Sequence, residues 1–474
     1  MTRLQFNTTK MSTTGLESPR RIYLKRAEPH IYAAQRKWNL LPNTNTTTTN
    51  AEATGPPKMN DTDTLVRTIL DDIISRREEG ALYHAKRFDD FEGNAIVQES
   101  VIDAAVLLLT AEQKQDIDYA HHRISAFAKA QRANVLDTDL EISPGFRLGS
   151  KFVPVSTAGC YVPGGRYAHI ASALMTVATA KAAGVKNIRV TTPVRSSIQV
   201  HGKMIPAPHP AVLYALRTAG ADQILCLGGV QGVAALGLGL FDGPPADIIA
   251  GPGNKFVAAA KRLLFSEHGV GMDLVAGPTE VAILVDETSN AEIVAWDLAS
   301  QCEHGPASPA VLITRCKKIG KQVAELMPTI IATLPSPNRE TALRAWEQCG
   351  EIVWCPEREE ACVLSDEVAS EHLQIMCNDL NFYHKRLHNY GSLFLGSATT
   401  VSMGDKASGT NHVLPTMRAA RYTGGLSVLS FLKCLSWQRP TAISAREVAK
   451  VTAQISRVEG MEGHARAADF RSKI

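Results

Sequence analysis

Ala183-Gly-Val-Lys-Asn-Ile-Arg-Val-Thr-Thr-Pro193 and Ala219-Gly-Ala-Asp-Gln-Ile-Leu-Cys-Leu-Gly-Gly229 share one pattern. In each, a helical stretch stops at a glycine, a short polar turn follows, and an apolar strand runs on. Glycine ends a helix because it enters the left-handed region without a steric penalty. Helix, turn and buried strand repeated in this order are βαβ grammar. They predict a parallel sheet covered by helices on both faces.

Reading outward, the alternation continues through a strand at Val281–Val285, a helix over 290–302 and a strand at Ala310–Thr314. The fold class expected is α/β, with Rossmann-like parallel sheets in two related lobes and helical elements at both termini. Residues 1–60 are rich in Thr and Asn, with too little apolar surface to offset ordering entropy, and read as a disordered extension. Residues 61–150 read as an N-terminal helical segment, opened by Leu65, Ile69, Leu70, Ile73 and Ile74 at helical spacing. Residues 151–440 form the α/β body, and 441–474 a helical tail that contributes to a dimer and its site. The irregular stretch 334–357 reads as a hinge or surface insertion.

Composition bounds the function. The chain has 474 residues, 45% hydrophobic and 20% charged, with a formal net charge of +3. That is a soluble globular composition, and near-neutral charge with no long basic run after residue 60 argues against a nucleic-acid partner. No apolar run reaches the ~18 residues of a membrane span. Nine cysteines without any C-x-x-C pair exclude a disulfide framework or thiolate zinc knuckle and fit a reducing compartment. A cytoplasmic location is expected. Basic residues among Ser and Thr near the start resemble a weak mitochondrial presequence, but an extension without an address is preferred.

Three glycine-rich corners, Gly164-Gly165, Gly228-Gly229 and Gly251-Pro-Gly-Asn254, each stand between a strand and a helix. One such corner is simply a tight turn. Three along one sheet point to a dinucleotide crevice at the carboxyl ends of its strands. Gln301 and His304, at i and i+3 where a helix runs into Gly305-Pro306, share a face and can meet one ion. Glu371-His372 joins a carboxylate to an imidazole ahead of an apolar strand, while Asp405 and His412 sit in a glycine-bracketed loop. Glu459 and His464 lie in the tail. Gln301, His304, Asp405 and His464 would make an oxygen–nitrogen sphere suited to zinc, though spacing alone does not assemble them.

Over about 150–470 the chain resembles the histidinol dehydrogenase family. The resemblance rests on Gly159-Cys-Tyr-Val-Pro-Gly-Gly165, Leu227–Gly239, Ala250–Asn254, Ala276–Val281, Asp297–Pro306, Ser370–Ile375, Gly404–Thr416 and Glu459–Ala465. Ile22-Tyr-Leu-Lys-Arg26 also looks like the usual start of that family's domain. The resemblance implies an NAD- and zinc-dependent alcohol dehydrogenase, acting on an amino alcohol such as L-histidinol through the aldehyde to the acid with two NAD. That reaction belongs to histidine biosynthesis. It implies zinc ligands Gln301, His304, Asp405 and His464, NAD contacts Tyr161, Gln231 and Asn254, and an acid–base pair Glu371 and His372. The substrate would meet Thr279, Gln301, His304, His372, Asp405, Glu459 and His464. A homodimer would supply Glu459 and His464 to the partner's site.

Departures from the family's usual text bear on the substrate. They are Arg166-Tyr-Ala-His169, Thr279 for Ser, Ser370 for Pro, Lys406 for Tyr, and Ala307-Ser-Pro309. Arg418–Gly425 looks more like a branch that oxidises sulfopropanediol-type alcohols. Arg166, Lys406 and Arg421 add cations expected near the pocket, which favours a small anionic alcohol as the alternative substrate. Two other classes remain open at this point: a zinc hydrolase and an inactive binding paralogue.

Overall fold

The computed structural model describes residues 61–473 apart from 165, 166 and 276, together with the backbone of 24–26. The readings of 1–60 as a disordered extension and of Arg166 as a pocket cation lie outside the described residues, except that Leu24–Arg26 forms a strand. Gly184 and Gly220 close their helices in the left-handed region, both at φ 92°. The strands that follow them lie side by side and parallel with Thr157–Tyr161 in one sheet.

There are two main sheets, each all-parallel. The first is ordered Gly271–Met272, Ile248–Ala250, Thr157–Tyr161, Asn187–Thr191, Gln223–Leu225. The second is ordered Leu24–Arg26, Gly350–Trp354, Ala310–Thr314, Val281–Val285, His372–Met376, Ser392–Leu395. In the second, Val281–Val285, Ala310–Thr314 and His372–Met376 are buried along their whole length, as parallel strands covered on both faces must be. Helices 99–107, 111–133, 170–183 and 210–219 cover one face of the first sheet, and 61–89, 229–237 and 255–268 the other. Helices 291–302, 317–333 and 338–349 cover one face of the second, and 358–368 and 380–386 the other. The strand order reverses between Thr157–Tyr161 and Ile248–Ala250 in the first sheet, the switch point where α/β folds bind ligands.

Three expectations change. The segment 61–150 is not helical to its end: Thr138–Ser143 and Phe146–Pro154 form an antiparallel pair, so a boundary at 150 cuts a strand. Leu432–Pro440 completes that sheet from the far end of the chain. The stretch 334–357 is neither hinge nor insertion, but a helix at Asn338–Cys349 running into the second sheet's strand Gly350–Trp354. Ser196–Val200 and Lys203–Ala207 make a hairpin whose turn, His201-Gly202, has positive φ at both residues. That geometry is the hairpin turn of the primed type. The tail is helical as expected, over Ala442–Val458 and Glu462–Arg471, and the two helices pack on each other through Ala449, Ala453, Ala465 and Ala468. Among the described residues no helix is long and apolar enough to cross a membrane.

Candidate active site

A cavity of about 430 Å³ opens where the carboxyl ends of the first sheet meet the amino ends of the second. Pro163 and Pro252–Asn254 come from the first sheet's switch point. Gly277–Thr279, Glu371 and Gly305–Ser308 come from turns entering strands of the second. The lobes are tied across this junction by His412, whose Nε2 lies 2.9 Å from Ser172 Oγ and whose Nδ1 lies 3.0 Å from the Asp405 carbonyl. Asp405 lies in a short helix, Val401–Lys406, and not in the expected loop; Ser172, buried on helix 170–183, helps hold its end through His412.

His372 starts its strand and Glu371 precedes it. His372 Nδ1 lies 3.0 Å from the Glu280 carbonyl, which fixes the tautomer with Nδ1 as donor and leaves Nε2 for chemistry. Glu371 Oε2 accepts the Glu280 N–H at 3.0 Å. Burial works against a charged His372, but Glu371 and then Asp405 outweigh it and bring the imidazole up to about 9. Burial likewise opposes an ionised Asp405, and His372 more than offsets it, holding the carboxyl down at about 2. Burial raises Glu371, with His372 partly counteracting. Committing Asp405 to a cation removes one of the two carboxylates that keep a proton on His372.

Gln301 is buried; its Nε2 donates to Thr279 Oγ1 at 2.9 Å, and its Oε1 has no partner. A buried amide oxygen left bare costs about 1–3 kcal/mol unless something outside the chain satisfies it. With His304 one turn on at the cavity wall and Asp405 nearby, the free oxygen, imidazole and carboxylate form a donor set that fits zinc. Cys302, between them, is buried and pushed up to about 12 by that burial, so it is inert as a thiolate.

The first lobe's strand ends make a backbone shelf. A Cβ on Gly164 or Gly228 would lie 2.2 or 2.8 Å from Pro193, and one on Gly251, at φ +122°, would lie 2.1 Å from the Tyr161 carbonyl. Only glycine permits this close approach, and helix 229–237 begins there without an N-cap side chain, its Gly229 N–H donating to Tyr161 Oη. The shelf fits a dinucleotide.

The chain thus gathers Thr279, Gln301, His304, Glu371, His372 and Asp405 in one place. Asn254 reaches the cavity while capping helix 255–268. Tyr161 and Gln231 lie beneath the shelf: Tyr161 Oη accepts the Gly229 N–H at 3.2 Å, and Gln231 Nε2 donates to Asp89 at 2.7 Å. Glu459 and His464 are not brought in; both are exposed on the tail. Among the described residues no three His, Cys, Asp or Glu side chains converge as a complete metal site. Arg421, expected near the pocket, lines a separate recess of about 320 Å³ with His388, Tyr390 and Tyr422. Lys406 is exposed, but its charge helps lower His169, which lines the cavity and falls to about 4 through burial, His412 and then Lys406. Sequence reasoning missed Ser172, Glu280 and Asp89: Ser172 is one small polar residue in an apolar helix, Glu280 follows Thr279 at a strand start, and Asp89 is one of two adjacent aspartates at a helix end, so nothing local sets them apart.

The chain matches the histidinol dehydrogenase family model over residues 54–472. It is 49% identical to a sulfopropanediol 3-dehydrogenase of Ruegeria pomeroyi, over 89% of this chain and 94% of that one. It is 35% identical to a histidinol dehydrogenase of Cereibacter sphaeroides, over 85% and 90%. A crystal structure of histidinol dehydrogenase from Elizabethkingia anophelis superposes with a TM-score of 0.81 at 31% identity, covering 88% of this chain and 94% of that one.

Proposed function

The chain belongs to the histidinol dehydrogenase family, and on that footing we propose an NAD- and zinc-dependent oxidation of a small anionic alcohol of the sulfopropanediol type. The chain is an oxidoreductase acting on CH–OH. The observation that carries the site is the unpartnered Gln301 Oε1, bonded through its amide nitrogen to Thr279, together with the cluster in which His372 meets Glu371 and Asp405. Gln301, His304 and Asp405 would hold zinc, and the glycine shelf with Asn254 would hold NAD. When bound, zinc supplies a Lewis acid beside the carbinol oxygen and NAD supplies the hydride acceptor.

The chain's own residues do the rest. Neutral His372, its Nδ1 committed to the Glu280 carbonyl, takes the hydroxyl proton on Nε2. Glu371, on the cavity wall, positions water for oxidation of an aldehyde hydrate to the acid. Burial keeps His169, His304 and His412 neutral in the pocket, and Lys406 is the cation whose field reaches all three and would attract an anionic substituent. This favours the anionic alcohol over L-histidinol, as does the higher identity to the sulfopropanediol enzyme. His464 and Glu459 are proposed to serve the site of a second copy in a homodimer. Their tail exposes Ile443, Ile455 and Val458 (78%, 54% and 91%), apolar surface that a partner would cover. The free thiols of all nine cysteines suit a cytoplasmic setting.

The test is NADH formation by zinc-loaded protein on L-histidinol and on a small sulfonated diol, before and after chelation. Turnover of the diol, two NADH per substrate, lost on chelation and restored by zinc, is expected. Efficient turnover of L-histidinol would sink the anionic-substrate reading. NADH from neither, with hydrolysis of an ester panel, would replace a dehydrogenase with a hydrolase.

A further inference from the structure

Asp89 is the last residue of helix Asp61–Asp89, far in sequence from every glycine corner, yet its carboxylate stands on the shelf. Asp89 Oδ2 accepts Gln231 Nε2 at 2.7 Å, and a Cβ added to Gly228 would lie 3.0 Å from the same oxygen. Gln231 and Tyr161, the residues beneath the shelf, are both buried, whereas Asp89 keeps partial exposure. The carboxylate is thus the acidic group presented at the corner after strand Gln223–Leu225.

The rest of the site sets what reaches this corner. Hydride transfer next to Glu371 and His372 requires the nicotinamide in the cavity, between Pro252–Asn254 and the second lobe. The strand ends not used by the cavity run the other way, over Tyr161, Pro193 and Gly228. The adenosine half of a dinucleotide must lie there. A partly desolvated carboxylate accepts hydrogen bonds from the two hydroxyls of a ribose and opposes a phosphate on either. The cation whose field acts on Asp89 is Arg195, exposed on the segment after Pro193.

We propose that Asp89, held against Gln231 at the Gly228 corner, reads the adenosine ribose and makes the enzyme select NAD over NADP. This rests on the NAD-dependent reading above. Asp89→Asn keeps one oxygen to accept from Gln231 Nε2, while it removes the charge and turns the other acceptor into an NH2 donor. It is expected to raise the ratio of kcat/KM for NADP over NAD by at least about tenfold, because Arg195 is left unopposed and repulsion of a 2′-phosphate is gone. Asp89→Ala should shift the ratio the same way with a larger loss on NAD. Calorimetric binding of ADP-ribose against its 2′-phosphate should shift in parallel without turnover. A ratio that stays put while both kcat/KM values fall together would show Asp89 only props Gln231, and would overturn the proposal. A wild-type enzyme that binds neither ADP-ribose nor its phosphate and reduces neither cofactor would instead remove the NAD-dependent reading and this inference with it.

Discussion

Lys261→Met isolates what holds the Gly251–Asn254 corner in place. The side chains of Lys261 and Asp273 are 2% and 1% exposed, an ion pair removed from water. Lys261 Nζ donates to the Gly251 carbonyl at 3.0 Å, and Asp273 Oδ2 accepts the Gly251 N–H at 2.7 Å, so one peptide is gripped from both sides. Asp273 Oδ1 also accepts the Leu274 N–H at 2.7 Å. Methionine keeps the aliphatic stem but leaves a buried carboxylate without its cation and a carbonyl without its donor. Breaking one side of such a pair costs about 3–5 kcal/mol, a large part of the ~5–15 kcal/mol that stabilises a typical domain. Adding Asp273→Asn removes the stranded charge and keeps an acceptor for Gly251 N–H. The double variant should therefore recover part of the loss, and what remains comes from the bare Gly251 carbonyl and the Leu274 N–H that loses its acceptor, about 1–3 kcal/mol for a buried group left unpaired. Urea unfolding followed by circular dichroism gives the energies, and hydrogen exchange over 246–275 shows whether the corner itself loosens. KM for NAD should rise with the exchange rate. A cost below about 1 kcal/mol for Lys261→Met, or a double variant less stable than the single, would refute the reasoning.

Two further outcomes follow from other parts of the molecule. His84 is buried with Nε2 2.9 Å from Asp72 Oδ2, and burial lowers its proton affinity more than Asp72 restores it. The unfolded chain, with an ordinary imidazole near 6.5, then binds more protons below that pH. His84 thus contributes stability at neutral pH that is lost as pH falls below about 6.5; His84→Gln should flatten the urea midpoint between pH 7 and 5, and an unchanged slope would assign it to other groups. For the shared site, mixing unfolded His304→Ala and His464→Ala chains and refolding them together should restore about a quarter of wild-type activity, since half the dimers are mixed and each then has one intact site. No recovery would place His464 in its own chain's site.

What could be read from the sequence was what neighbours in the chain determine. Gly184 and Gly220 announce two helix ends of the same left-handed φ because that conformation is a property of one residue. Gln301 and His304 stay close because a single turn at the end of helix 291–302 separates them, and Glu371 and His372 are adjacent. The antiparallel sheet of 138–143, 146–154 and 432–440 was missed because its third strand arrives from the other end of the chain, and Thr138–Ser143 is exposed throughout. No local pattern encodes such a pairing.

The same limit separates charges that look alike in one dimension. Lys406 and Arg421 both stood near site motifs, yet Lys406 shares its field with His169, His304 and His412 while Arg421 faces a different recess. Asp89 is the opposite case, an ordinary carboxylate at a helix end that lies 142 residues from the glutamine it holds. Gly228 has an ordinary φ of −102°, so its backbone conformation alone does not require glycine. What requires it is the approach of Pro193 on one side and Asp89 on the other, which only the folded chain brings there. Glycines of the first kind can be explained from local conformation; those of the second kind mark places where distant segments meet, and it is at such a place that the cofactor's ribose is expected.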